Sequence, residues 1–172
     1  DDRALHYLRI AGERAAARHT NDVAVNFFEQ AADLLTTVTN VEDEARWKII
    51  SGMGDVYQFI GNYDASMTVL QSGLDLVESK ILTPSQRAGL YRRLGDTAHK
   101  KADQEQAIIY LERAQEILGD PDDTQGEIEA ALIFARLGWC YLFQSDLEPA
   151  KEAVNKSNYY AGKADNLSVK AM

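Results

Sequence analysis

Hydrophobic and small side chains recur along the chain in an order that is typical of paired helices. Four glycines stand at positions 12, 54, 95 and 138, so the intervals between them are 42, 41 and 43 residues. Each is followed by Gly, Ala or Ser at offsets of 12 and 19 residues, and a large apolar residue stands four positions before it. Helices cross closely only where side chains are small and bulky neighbours fill the flanks. The pattern therefore predicts about four similar helix pairs.

Turn and capping residues divide these pairs into individual helices. Candidate N-caps precede the second helix of each pair: Asn21-Asp22, Asn62, Asp103 and Ser145. Thr83 before Pro84 begins the third pair, with Gln86 at the capping-box position, and Gly119 with Pro121 ends a helix. The predicted helices span residues 3–18, 22–38, 42–60, 63–79, 85–101, 104–118, 124–144 and 147–162.

These helices predict a single domain over residues 1–165. Its repeats are expected at about 1–39, 40–80, 81–121 and 122–165. A fifth glycine would fall near position 180, so residues 166–172 are expected to begin a truncated further helix. The chain also begins without Met, and we therefore expect it to be a piece of a larger protein.

The small residues at these offsets, with Tyr57-Gln58-Phe59-Ile60-Gly61-Asn62-Tyr63 between paired helices, resemble tetratricopeptide repeats (TPR) over about residues 3–162. The resemblance implies an all-α fold, a right-handed α-solenoid of antiparallel helix pairs with about four repeats, eight helices and the start of a ninth. The usual TPR period is 34 residues, so a period of about 42 indicates a long-period type. Such repeats occur in bacterial multidomain regulators, and the segment Leu5–Ala15 is similar to theirs.

Composition narrows the function classes. The net charge of −9 disfavours binding to nucleic acid or to anionic membranes, because both need a basic surface. No apolar run approaches the roughly 18 residues of a membrane span. The single cysteine, Cys140, cannot form an internal disulfide, which favours a reducing, cytoplasmic location.

Residues capable of chemistry do not form a known catalytic or metal-binding motif. His6, His19 and His99 have no second histidine or cysteine at short spacing, so no metal site is predicted. Cys140 lies within a predicted helix and is interpreted as a buried structural thiol. No Gly-Lys-Ser/Thr follows the glycines at 52 and 54, so no phosphate loop is predicted. We expect no catalytic residues, no cofactor and no enzymatic activity.

The TPR resemblance implies that the first helix of each repeat lines a concave groove. Candidate partner-binding residues on these helices are Lys48, Asp55 and Phe59 in repeat two, Arg92, Arg93, His99 and Lys100 in repeat three, and Leu132, Trp139, Leu142 and Phe143 in repeat four. Positions that hold a C-terminal carboxylate in chaperone-tail binders match only at Arg93 and nearly at Arg9, which disfavours that function.

Two groups among these candidates have alternative interpretations. Residues 84–101 carry Arg87, Arg92, Arg93, Lys100 and Lys101 against Asp96 alone, a basic strip suited to a carboxylate-bearing peptide. Alternatively, the strip is a solvated face that pairs with acidic neighbours. The apolar patch of Leu132, Trp139, Leu142 and Phe143 is either a partner surface, part of the core or of the contact with a next repeat, or a homodimer contact.

The resulting hypothesis is a scaffold that binds a protein or peptide within a larger signalling or regulatory protein. One alternative is a sensor whose groove binds a peptide or small ligand and changes the pitch of the superhelix. A second alternative is a structural or oligomerising arm.

Overall fold

A computed structural model of the chain describes residues 2–38, 41–74 and 82–170. The chain divides into two compact units, Asp1–Leu82 (unit 1) and Thr83–Met172 (unit 2). The described residues form eight helices and no strand, which confirms the predicted all-α helical repeat.

Unit 1 contains α1 (Asp2–Ala17), α2 (Asn21–Thr37), α3 (Asp43–Phe59) and α4 (Tyr63–Ser72). Each helix packs against the next in sequence, and the two first helices, α1 and α3, also contact each other. Phe28 and Ile49 are fully buried in the core of this unit.

Unit 2 contains α5 (Pro84–Lys100), α6 (Gln104–Leu118), α7 (Thr124–Phe143) and α8 (Leu147–Lys170). As in unit 1, each helix packs against the next in sequence, and α5 and α7, the first helices of their pairs, contact each other. Leu111 and Ile133 are fully buried in its core.

The four glycines at positions 12, 54, 95 and 138 have the same role in their four helix pairs. A Cβ placed on each would meet the side chain sixteen positions later, on the second helix of the same pair. The closest approaches are 3.0 Å to Phe28 from Gly12, 2.6 Å to Leu70 from Gly54, 2.7 Å to Leu111 from Gly95 and 3.2 Å to Val154 from Gly138. The helices of each pair therefore cross closely where the side chain is absent. These contacts support four similar pairs, while the period of about 42 residues stays a prediction.

The turn inside each pair also repeats. The residue seven positions after each glycine has positive φ: His19, Gly61, Ala102 and Ser145. The amide of the following residue then bonds the carbonyl five positions earlier, as in Asp103 N to Ala98 O at 3.0 Å. This is the Schellman end of a helix, in which one left-handed residue lets the chain reverse.

The turn geometry corrects two of the predicted N-caps. Ser145 occupies the left-handed position, so Asp146 is the residue that precedes α8 and accepts the amide of Ala150. For the same reason Thr20, and not the Asn21-Asp22 pair, is the N-cap of α2. Asn62 and Asp103 are N-caps as predicted, and each accepts the backbone amide three residues later.

Six helices begin and end within one residue of their predicted positions, and the predicted capping box between Thr83 and Gln86 is present. The fourth begins at Tyr63 as predicted and ends at Ser72, where Gly73 weakens the helix. Residues 75–79 of its predicted span lie outside the described residues, as do the repeat boundaries at 39/40 and 80/81.

The last helix is longer than predicted. One continuous helix runs from Leu147 to Lys170, because no proline follows Gly162 and the helix-favouring residues Ala161, Lys163 and Ala164 surround it. No separate helix therefore begins near residue 166, and residues 171–172 lie outside the described part of the chain.

Candidate functional site

Ion pairs join the basic helix α5 to α7. Arg92 Nε donates to Glu129 Oε1, and Arg92 Nη1 donates to Asp96 Oδ2 at 3.0 Å. Arg136 Nε, on α7, lies 2.8 Å from Asp96 Oδ1. Asp96 and Glu129 are buried, so these four side chains form an ion network that closes the seam between α5 and α7. We call it the α5–α7 network.

Other members of the basic strip are also engaged. Arg93 Nη1 donates to the carbonyl of Gly89 at 3.1 Å, and Lys100 and Lys101 are exposed at the end of α5 and take part in further interactions. These contacts favour the alternative in which the basic side chains pair with neighbouring groups.

His99 lies in a contact that the sequence did not reveal. Its Nδ1 is 2.7 Å from Gln104 Oε1 and 3.7 Å from Cys140 Sγ, and its ring meets Phe143 edge-on with centroids 5.2 Å apart. His99 and Cys140 are 41 residues apart. The only sign of this contact in the sequence is their position in the repeat: His99 lies four residues after Gly95, and Cys140 lies two residues after Gly138.

The pairing of His99 with Cys140 does not create a nucleophile. Burial raises the pKa of the Cys140 thiol to about 11, with a further contribution from the negative charge of Asp96. The thiol is therefore protonated at neutral pH, whereas attack requires the thiolate. Cys140 is buried as the sequence predicted.

The apolar patch lies on the exposed side of α7. The exposed fractions are 42% for Leu132, 56% for Trp139, 44% for Leu142 and 65% for Phe143. Residues 132, 139 and 143 follow one another at helical spacing on one face, and the half-exposed Arg136 of the α5–α7 network stands between the first two. The structure thus keeps the four predicted residues on one helix and open to solvent within unit 2.

In unit 1, two clefts open along the seam between α1 and α3. The first has a volume of about 440 Å³ and is lined by both basic and acidic side chains, among them Arg9, Glu42, Glu44 and Lys48. Lys48 Nζ lies 2.8 Å from Glu44 Oε1, a pair that lowers the pKa of Glu44.

The second cleft, which we call the distal cleft, has a volume of about 340 Å³. Its lining includes the predicted residues Asp55 and Phe59, together with Glu13, Ala16 and Val56. The sequence did not single out two further lining residues, Phe28 at the floor and His19, whose ring stacks on Phe59 with centroids 5.9 Å apart.

The described residues contain no group of three or more His, Cys, Asp or Glu side chains that could hold a metal ion. Within the same part of the chain, no helix is both long enough and apolar enough to span a bilayer.

Comparisons with known proteins agree with this architecture. The family model for the tetratricopeptide repeat matches residues 88–117, which cover most of the α5–α6 pair. No curated protein matches the sequence.

Two similar solved structures are the nearly identical TPR-like repeats of a putative kinesin light chain from Podosopora anserina and a single-substitution variant of the same repeats. Each has a TM-score of 0.57 and 13% sequence identity to this chain. The match covers 98% of this chain and 96% of the unsubstituted structure, and 96% of this chain and 92% of the variant. At this identity the likeness shows the fold.

Proposed function

Because the chain carries a tetratricopeptide repeat and has a TPR-like fold, we propose that it is a protein-interaction scaffold that binds a protein or peptide partner through the apolar patch of α7. The observation that carries the proposal is the exposure of Trp139 and Phe143 beside Leu132 and Leu142. Clustered exposed aromatic and aliphatic side chains are typical of contact surfaces, where Trp is enriched among the residues that dominate affinity.

The patch is separate from the side chains that build the core of unit 2. Ile133, Phe134, Leu137 and Cys140 of the same helix are buried against α6 and α8. The core contacts of α7 therefore do not require the patch. This favours a partner surface over the alternative in which the patch closes the core.

The finer role that we propose is that of a regulatory module within a larger signalling protein in the cytoplasm, with no catalytic activity of its own. The long spacing of its repeats supports this role through the resemblance to multidomain regulators. The raised pKa of the Cys140 thiol agrees with the absence of catalytic activity alone, since a thiol that is protonated at neutral pH is a poor nucleophile.

The proposal is tested by comparing the proteins captured by the wild-type chain and by a Trp139→Ala/Phe143→Ala variant. The matched control is Tyr7→Ala/Ile109→Ala, which removes exposed apolar side chains elsewhere. Helicity and thermal melting first establish that all three proteins fold. We expect a partner that binds the wild type and the control with similar affinity and the patch variant at least about tenfold more weakly, as is usual for central aromatic contacts.

Two results would count against this proposal. A partner retained equally by the patch variant would place the binding surface elsewhere. Sedimentation that shows a concentration-dependent dimer of the wild type but not of the patch variant would identify the occupant as a second copy of the chain.

A further inference from the structure

We infer that the distal cleft of unit 1 binds the side chain of a lysine or arginine presented by a partner peptide. The site lies between α1 and α3 and shares no residue with the apolar patch of unit 2. The inference therefore stands or falls independently of the proposed function of that patch.

The shape of the distal cleft suits a long side chain with an apolar stem. Its volume of about 340 Å³ lies at the lower end of the range for ligand pockets. Ala16 and Val56 line it, and the ring of Phe28 forms its floor. A Cβ on Gly52 would come within 2.7 Å of Phe28 Cζ, so the absence of a side chain at position 52 lets α3 pass directly over the ring.

The charges around the cleft select a cation. Glu13 from α1 and Asp55 from α3 each bring a carboxylate to the lining. Glu13 already accepts a bond from Arg9 along α1, and its side chain is still 43% exposed. An acidic side chain would be repelled here, and a purely apolar one would cover two carboxylates without offsetting their charge. A basic side chain avoids both costs.

The aromatic ring at the cleft adds a second attraction for a cation. Phe59 is 63% exposed and stacks on His19 in the turn between α1 and α2. A guanidinium or ammonium group over an exposed aromatic face gains about 0.5–1 kcal/mol, which corresponds to roughly two- to fivefold in affinity. The methylene stem of lysine or arginine can meanwhile cover apolar surface.

The net negative charge of unit 1 also favours a cationic ligand. Residues 1–82 contain 13 acidic and 7 basic side chains. An excess of negative charge raises the local concentration of cationic ligands and the rate of their association. In the other cleft of the same seam, Arg9 and Lys48 stand beside Glu42 and Glu44, so opposite charges balance. The described residues that line the distal cleft include Glu13 and Asp55 and no lysine or arginine, which favours a basic side chain there.

The probe for the test is the acetylated and amidated pentapeptide Ala-Leu-Arg-Leu-Ala, added to the full isotope-labelled chain at physiological salt. Its matched control carries citrulline in place of arginine, which keeps the shape and removes the charge. We expect the backbone amide resonances of Gly52 and Phe59 to shift with the arginine peptide. The citrulline peptide is expected to bind about three- to fivefold more weakly, as for an exposed ion pair and a cation–π contact.

Three variants sharpen the test. Asp55→Asn and Phe59→Ala are each expected to weaken binding of the arginine peptide about two- to fivefold. Asp33→Asn removes the same charge from an exposed position on α2 and is expected to leave binding unchanged. Thermal melting checks that all three proteins are folded.

Three results would overturn the inference. These are equal affinity for the arginine and citrulline peptides, no shift at Gly52 and Phe59, and a loss in Asp33→Asn as large as in Asp55→Asn. The last result would show attraction by the general negative charge of the unit and not by this cleft. None of them would affect the assignment of the apolar patch, because Trp139 and Phe143, the residues changed in its patch variant, lie in unit 2.

Discussion

The first helices of the two units carry the same ion pair and yet form different surfaces. Arg9 and Glu13 stand three before and one after the first glycine of unit 1, and Arg92 and Asp96 have the same positions in unit 2. Both pairs form along their own helix. In unit 1 the seam beside the pair contains two clefts, whereas in unit 2 the α5–α7 network occupies the seam.

The difference arises from two positions on the neighbouring helix. Nine and two residues before its glycine, α7 carries Glu129 and Arg136, which reach Arg92 and Asp96 on α5. At the same offsets α3 carries Ala45 and Gly52, and each lines one of the two clefts. Small residues at these positions leave room for a ligand, and charged residues there hold the helices together. The shared repeat pattern thus determines how the two helices of a pair pack. It does not determine whether the contact between the first helices of neighbouring pairs contains clefts or an ion network.

The largest expected effect is the loss of Arg92. In Arg92→Met, Glu129 and Asp96 each lose a cationic partner within a largely buried network, so the stability of unit 2 should fall by about 3 kcal/mol. The corresponding Arg9→Met in unit 1 leaves Glu13, which is 43% exposed and can be hydrated, and should cost less than about 1 kcal/mol. Urea unfolding measures both losses of stability. In a Trp47→Phe background Trp139 reports on unit 2, and in a Trp139→Phe background Trp47 reports on unit 1. Similar losses in the two variants would mean that the α5–α7 network does not distinguish the units.

A smaller effect is expected at the glycines within the pairs, where the units should behave alike. Gly54→Ala in unit 1 and Gly95→Ala in unit 2 would each place a Cβ within 2.7 Å of a leucine side chain, and should cost about 1–3 kcal/mol. Gly138→Ala meets Val154 at 3.2 Å, so the gain in helix propensity should offset most of the crowding. Thermal unfolding measured by circular dichroism compares the three. A loss at Gly138 equal to that at Gly95 would contradict the difference in packing.

The smallest effect, about 1 kcal/mol, is expected in the turns, with opposite signs in the two units. Gly61 and Ala102 occupy the same left-handed position, which costs a residue with a Cβ about 1–2 kcal/mol. Gly61→Ala should therefore destabilise unit 1, and Ala102→Gly should stabilise unit 2, as measured by urea unfolding. Ala161→Gly, within the exposed part of α8, serves as the control and should destabilise by about 1 kcal/mol. If Ala102→Gly also destabilises, the left-handed turn is not under strain.

The sequence is sufficient to predict six of the eight described helices to within one residue, since the signals that set their ends are local. Capping residues such as Thr83 with Gln86 and Asp103 act within one turn of the helix end, so their effects follow from sequence spacing alone. The spacing of small residues also predicts which helices cross closely, as the contact of Gly95 with Leu111 shows. The predicted N-cap is wrong by one residue at Ser145, which has the left-handed conformation, so the next residue precedes the helix. Nothing in the side chain of serine indicates that conformation.

What the sequence could not determine is which side chains meet across a seam. Arg92 is 37 residues from Glu129, and no local rule pairs them. The positive charge counted along α5 therefore predicts a basic strip, although Arg92 of that strip pairs with Glu129 of α7. The distal cleft depends in the same way on Gly52, His19 and Phe28, which come together only when α1, α2 and α3 pack. Helix formation follows from short-range hydrogen bonding and periodicity, whereas burial of charge and the shape of a cleft depend on distances that exist only in the folded chain.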